Sequence, residues 1–219
     1  MFRIRQIHNA NSLANQKALS SVLRIYEEAF SYYPQYSAKI AKLLKQFSQH
    51  DFDIILLVAE GRKSRILGFT LTFYFPQLKY AYLDYLASDP KRSQRGYGSS
   101  LYEATQALLR DSGCRGLFMD VPPDEREMLK EKSRLKINQR RMAFYERFGA
   151  LPIIGTKYQA VSHKANQGYM TYLVYDNFYE KYPLRAASLK KVVAKILLIK
   201  GNMPATENKV KEIDRKSVV

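Results

Sequence analysis

The clearest chemistry lies in one stretch, Asp89-Pro90-Lys91-Arg92-Ser93-Gln94-Arg95-Gly96-Tyr97-Gly98-Ser99-Ser100-Leu101. Residues 80–88 before it are apolar and aromatic and read as a strand. Residues 99–110 after it repeat with helical periodicity. A basic, glycine-bearing turn between a strand end and a helix start can hold a phosphate. The N–H groups of a first helical turn have no partner within the helix, and the helix dipole favours an anion there. Gly96 and Gly98 let the backbone approach closely, and Arg92 and Arg95 add positive charge. The predicted function of this stretch is a pyrophosphate cradle running from Ser93 through Gln94, Arg95, Gly96, Tyr97 and Gly98 to Ser99.

A second stretch, Asn138-Gln139-Arg140-Arg141-Met142-Ala143-Phe144-Tyr145-Glu146-Arg147-Phe148-Gly149-Ala150, follows a helical pattern closed by a glycine. Asn138 and Tyr145 are seven apart, which is two turns, so they share one helical face.

Composition narrows the class. The 219 residues suffice for one domain with a sizeable core, alone or with an appendage. A single cysteine, Cys114, makes no internal disulfide and no cysteine-based zinc site, which points to a reducing, cytoplasmic setting. The three histidines, His8, His50 and His163, are scattered without ligand spacing, so no metal is expected. The start of the chain alternates like a strand rather than a signal peptide, and no apolar run approaches a membrane span. The net charge of +16 attracts anions. Residues 181–219 hold ten Lys and Arg against three Asp and Glu, so they supply +7 of it.

Around these motifs the pattern predicts a strand at 2–7 and helices at 12–30 and 38–47. Strands at 53–60, 66–75 and 80–88, with short polar connections, form an antiparallel meander. The strand at 116–121 follows a crossover helix, which implies a parallel pairing with the strand before that helix. Residues 122–136 form a charged connection, read either as a solvated insertion or as a substrate-facing lid. A helix at 137–148, strands at 151–154 and 170–176 and a basic amphipathic segment at 184–200 complete the order.

This order, with the two motifs, resembles the GNAT superfamily of acyl-CoA-dependent N-acetyltransferases over residues 2–177. Residues 83–90 and 94–101 look like the family's fourth strand and its Arg/Gln-x-x-Gly-x-Gly loop. Residues 138–150 look like its Asn-x(6)-Tyr-x(3)-Gly helix. The sequence departs at one point: the family's usual Arg or Gln falls on Ser93, flanked by Arg92 and Gln94.

The resemblance implies an α/β (α+β) GNAT fold: a mixed, mostly antiparallel central sheet, a splayed fourth and fifth strand pair, flanking helices, and here an added basic C-terminal helix. Residues 1–180 would be the acetyltransferase domain, and 181–219 a basic helix and tail. The implied cofactor is acetyl-CoA, with CoA as product, and the partner is an amine acceptor. The pantetheine would pair with the backbone of Leu86, Ala87 and Ser88, where an N–H would also stabilise the oxyanion. Asn138 would hold the cofactor, or serve only as a helix cap. Tyr145 would give a proton to the departing sulfur, or be an aromatic core residue beside Phe148. Asp84 would act on the amine directly or through water, or be a structural carboxylate.

The basic segment at 184–200 is read as a helix docked on the domain, with a membrane surface or nucleic acid as the alternative partner. An interaction module working through this tail on an anionic partner is the second functional reading.

Overall fold

The computed structural model describes residues 1–31, 36–43, 51–92, 95–129, 132–156, 158 and 170–200. The chain divides into two compact units, Met1–Cys114 and Arg115–Val219.

The first unit is built on four antiparallel strands, β1 (Arg3–Ile7), β2 (Asp53–Glu60), β3 (Ile66–Phe75) and β4 (Tyr80–Ser88), each paired with the next. Every residue of β3 is buried, because helices cover both faces of the sheet. On one face α1 (Leu13–Ala29) lays Tyr26 edge-on to Tyr85 of β4, with ring centroids 4.9 Å apart. Phe30 stacks beside them, 5.2 Å from Tyr26. Ser12 caps α1 by accepting the Asn15 N–H at 3.1 Å. The short helix α2 (Tyr36–Leu43) follows; the rest of the expected 38–47 segment lies outside the described residues.

On the other face α3 (Tyr97–Asp111) packs on alternate residues of β3. Thr70 and Thr105 share a buried hydrogen bond of 3.1 Å, and the Tyr74 hydroxyl donates to the Ser112 carbonyl. Gly68 sets how closely these layers approach. A Cβ there would stand 2.8 Å from the Ala87 carbonyl oxygen and 3.1 Å from a Leu101 methyl.

The second unit carries β5 (Gly116–Val121), β6 (Leu151–Pro152) and β7 (Tyr172–Asn177), with β7 antiparallel to both others. Two helices accompany them, α4 (Leu135–Glu146) and α5 (Ala186–Lys200). The charged connection before α4 contains two 3-10 turns, Arg126–Met128 and Lys132–Arg134. The strand expected at 151–154 shortens to Leu151–Pro152. Proline has no N–H for a ladder, and Gly155 follows in the left-handed region. Most of the loop expected at 156–168 lies outside the described residues.

A buried carboxylate ties β1 to β2. Glu60, only 6% exposed, accepts hydrogen bonds from the Arg3 and Arg5 guanidinium groups at 2.9 Å. Burial works against its charged form, but the hydrogen bonds from Arg3, Arg5 and Ser64 outweigh burial and hold its pKa below the ordinary value. A depressed carboxylate pKa stabilises the fold above the unfolded pKa and loses that effect as pH falls through the folded one. Glu60→Gln is therefore expected to lower stability near neutrality by about 1–3 kcal/mol. Denaturant titrations across pH should show the gap to wild type closing below about pH 4.

Candidate active site

The strand that leads into the glycine loop is irregular. The register of β4 on β3 slips between two pairs: Leu83 lies opposite Thr72, and Tyr85 lies opposite Leu71. Asp84 is the extra residue of a β-bulge. Residues facing one another across a ladder share a sheet face, so Leu83 and Tyr85 point to opposite faces although they are two apart. Bulges re-aim side chains, and this one sits on the acidic residue singled out by sequence. Asp84 is half-buried and its Oδ2 is enclosed by protein. Leu86, Ala87 and Ser88 then pair regularly with Thr70, Phe69 and Gly68 to the end of the strand.

Asp89 anchors the start of the glycine loop. It is buried, its N–H donates to the Leu67 carbonyl at 2.9 Å, and its Oδ1 accepts the Lys91 N–H at 3.1 Å. Its backbone carbonyl accepts the Arg92 N–H at 2.9 Å, closing the 3-10 turn Pro90–Arg92. Arg24 of α1 approaches its other oxygen at 4.0 Å. A cation beside a buried carboxylate limits its repulsion of an anion bound nearby. Ser93 and Gln94 lie outside the described residues. Arg95 is exposed and Arg92 half-exposed.

Gly96 is the N-cap of α3 and sits in the left-handed region at φ 77° and ψ 0°. The helix begins at Tyr97, two residues before the start expected from periodicity. Tyr97 and Gly98 carry no apolar repeat, and the left-handed cap makes the entry sharp enough to include them. The Ser100 N–H is the first to bond back, to the Gly96 carbonyl at 3.0 Å. The N–H groups of Tyr97, Gly98 and Ser99 therefore have no partner within the helix. A Cβ added at Gly96 would meet nothing within 4 Å. Glycine is required here by backbone conformation rather than by crowding, and the three helix-terminal donors stand in the same loop as Arg92 and Arg95. These residues fit a pyrophosphate group.

In the second unit the face shared by Asn138 and Tyr145 is real. Asn138, Met142 and Tyr145 are the buried residues of α4. Asn138 is not a cap. It is the fourth residue of the helix, and its side-chain amide donates to the Pro123 carbonyl at 2.8 Å, fastening α4 to the segment that leaves β5. Tyr145 stands edge-on to Phe144, with centroids 5.1 Å apart. Burial pushes the Tyr145 phenol up to about 12, only partly offset by the Arg141 charge.

Sequence reasoning passed over Asp120. It lies near the end of β5 opposite Leu173 and accepts hydrogen bonds from the hydroxyls of Tyr158 (2.7 Å) and Thr171 (3.1 Å) and from the Lys200 ammonium. The available signal was one acidic residue inside the apolar run Gly116–Val121. Lys200 closes α5, whose Leu189, Val192, Ile196 and Ile199 are buried.

The family model of the GNAT acetyltransferases matches residues 19–150, more than half of the chain. The chain belongs to the GNAT family. The glycine loop, Asp84, Asn138 and Tyr145 all fall inside the match, and α5 lies beyond it. Its mixed α/β fold with a mostly antiparallel sheet is that family's. The ribosomal-protein-S18-alanine N-acetyltransferase of Escherichia coli is similar in fold, with a TM-score of 0.55, 16% identity, and 84% of this chain and 100% of that one covered. The PaiA N-acetyltransferase of Thermoplasma acidophilum, solved with coenzyme A, has a TM-score of 0.56 and 14% identity, covering 81% and 99%. Tetrahymena GCN5 has a TM-score of 0.56 and 17% identity, covering 83% and 99%. No curated protein sequence matches the chain.

The Tyr145 shift has a testable consequence. Its folded pKa lies above the ordinary value of 10, so stability is full below pH 10 and is lost as pH rises through the folded pKa near 12. Between those limits wild type should lose about 2–3 kcal/mol more than Tyr145→Phe, at 1.36 kcal/mol per unit. Chemical denaturation at pH 9 to 12 reads this directly; parallel curves for the two proteins would contradict a buried, neutral phenol.

Proposed function

We propose that this GNAT protein transfers an acetyl group from acetyl-CoA to a primary amine, on a small molecule or a protein, by direct attack in a ternary complex. The observation that supports the reading most is the left-handed Gly96 cap, which starts α3 with three N–H groups that have no partner within the helix, as a pyrophosphate site requires. The coenzyme A complex of the Thermoplasma relative supports the choice of cofactor, and the E. coli relative, named for an alanine of a ribosomal protein, supports proteins among the acceptors. Residues 1–180 form the acetyltransferase domain in this proposal, and 181–219 an appended basic helix and tail. A cytoplasmic location fits the single, buried Cys114.

When bound, acetyl-CoA supplies the activated acetyl thioester. The chain's part is to hold it and to manage charge. Tyr97, Gly98, Ser99, Arg92 and Arg95, with Ser93 and Gln94 completing the loop, hold the pyrophosphate. The backbone of Leu86, Ala87 and Ser88 aligns the pantetheine, and an N–H there stabilises the oxyanion. Asn138 holds the cofactor from α4. A primary ammonium with a pKa near ~10 must lose a proton before it attacks. Asp84, re-aimed by the bulge, takes it directly or through water.

The pKa of Tyr145 sharpens its role. Full transfer of a proton from a phenol near 12 to a thiolate near ~8.5 is uphill by about 5 kcal/mol. Tyr145 instead stays neutral and donates a hydrogen bond to the sulfur as negative charge builds on it. The second amine proton, lost as the amide forms, passes through water and neutralises the departing thiolate, so Tyr145 need not give up its own.

The basic helix α5 bears on the second reading. Its apolar stripe is buried, and Lys200 is bound to Asp120. Both support docking of α5 over contact with a membrane or nucleic acid.

A screen of primary amines, with release of free CoA thiol as readout and calorimetry for acetyl-CoA, tests the proposal. Wild type should bind acetyl-CoA and release thiol with at least one amine. Gly96→Glu, which puts a carboxylate into the cradle and a side chain on a left-handed residue, should lose affinity by about a hundredfold or more. Tyr145→Phe should lower kcat by roughly 10–100-fold with acetyl-CoA affinity unchanged, the worth of a hydrogen bond to a charged group. Absence of acetyl-CoA binding by wild type would end the proposal; an unchanged kcat would remove Tyr145 from the chemistry.

A further inference from the structure

Asp120 and Lys200 form an enclosed ion pair, with side chains 9% and 11% exposed. Three donors converge on one carboxylate: the Tyr158 and Thr171 hydroxyls and the Lys200 ammonium. A carboxylate ringed by hydroxyls is a receptor for a primary ammonium, and here the ammonium comes from the chain itself. Two features set this pair apart from an ordinary structural bridge. Lys200 is the last residue of α5 and carries its charge on a flexible four-carbon stem, so the ammonium can withdraw by side-chain rotation while Ile196 and Ile199 stay buried. Asp120 lies three residues before Pro123, the residue that Asn138 grips. The ammonium receptor is thereby tied to the helix that also bears Tyr145.

We propose that Asp120, with Tyr158 and Thr171, is the subsite that binds the ammonium of the amine acceptor, and that Lys200 is a built-in occupant which the acceptor displaces. This rests on the acetyltransferase reading and adds where the acceptor binds and what competes with it. It also implies a substrate class: acceptors whose amine is charged when it arrives, carried on an unbranched stem like that of Lys200.

Lys200→Met keeps the stem and removes the charge. The full chain should then bind n-butylammonium, a probe that reproduces the missing group, at least about tenfold more tightly than wild type, the worth of one charge-assisted hydrogen bond. The same probe should raise the melting temperature of Lys200→Met and leave wild type unmoved. Lys200→Gln, which keeps a donor for Asp120, should fall between the two and serves if Lys200→Met folds poorly. Adding Asp120→Asn to Lys200→Met should abolish the gain. These readouts need no acetyl transfer, so they separate failure of the subsite from failure of the enzymatic reading, which acetyl-CoA calorimetry reports. In turnover, KM for an active amine should fall about tenfold in Lys200→Met, with acetyl-CoA affinity unchanged. Equal butylammonium affinity in wild type and variant would overturn the proposal. So would a gain in butylammonium binding with no fall in KM, which would make Lys200–Asp120 a structural bridge only.

Discussion

One backbone conformation governs the first unit: the left-handed Gly96. It turns the chain from the 3-10 turn Pro90–Arg92 into α3 within four residues and leaves the first N–H groups of that helix without intrahelical partners. A side chain there would cost about 1–2 kcal/mol in backbone strain, although space for it exists. The surroundings keep the turn in place. Gly68 allows β3, β4 and α3 to close up beside it, and Asp89 fixes the point where β4 ends. The strand, the loop and the helix thus bring backbone donors and two arginines into one short stretch, which is what an anionic cofactor requires.

The treatment of charge follows the same economy. The chain is strongly basic, yet it buries carboxylates at places where position matters. Glu60 is gripped by Arg3 and Arg5 of the edge strand β1. Asp89 faces Arg24 beneath the loop, and Asp120 faces Lys200 at the end of β5. A buried carboxylate without such company would be costly, and removing one partner of a pair costs more than the pair contributes. These pairs therefore act less as sources of net stability than as fixed points, each locating a strand end or a loop. Arg92, half-exposed, and Arg95, exposed, carry their charge beside the loop, where it can draw in a polyanion.

Much of this was legible in the residues. The alternating and apolar runs gave β2, β3, β4 and β5 at their observed bounds, because those strands are buried and their patterns are unambiguous. The seven-residue spacing of Asn138 and Tyr145 placed both on the buried stripe of α4. Other features had no local signature. The bulge at Asp84 depends on how β4 registers with β3, which no window of β4 alone contains. The start of α3 at Tyr97 was hidden by the glycines that make it possible. Asp120 escaped notice because its partners lie 38, 51 and 80 residues away, and the reach of Lys200 depends on where α5 ends.

The central claim is that the opened N-terminus of α3 holds the pyrophosphate of the cofactor. Amide resonances of the 15N-labelled full chain, followed while CoA is added, address it most directly. Within Met1–Cys114, the N–H signals of Tyr97, Gly98 and Ser99 should move furthest downfield and saturate together. Saturable binding of CoA that leaves those three signals in place would contradict the account.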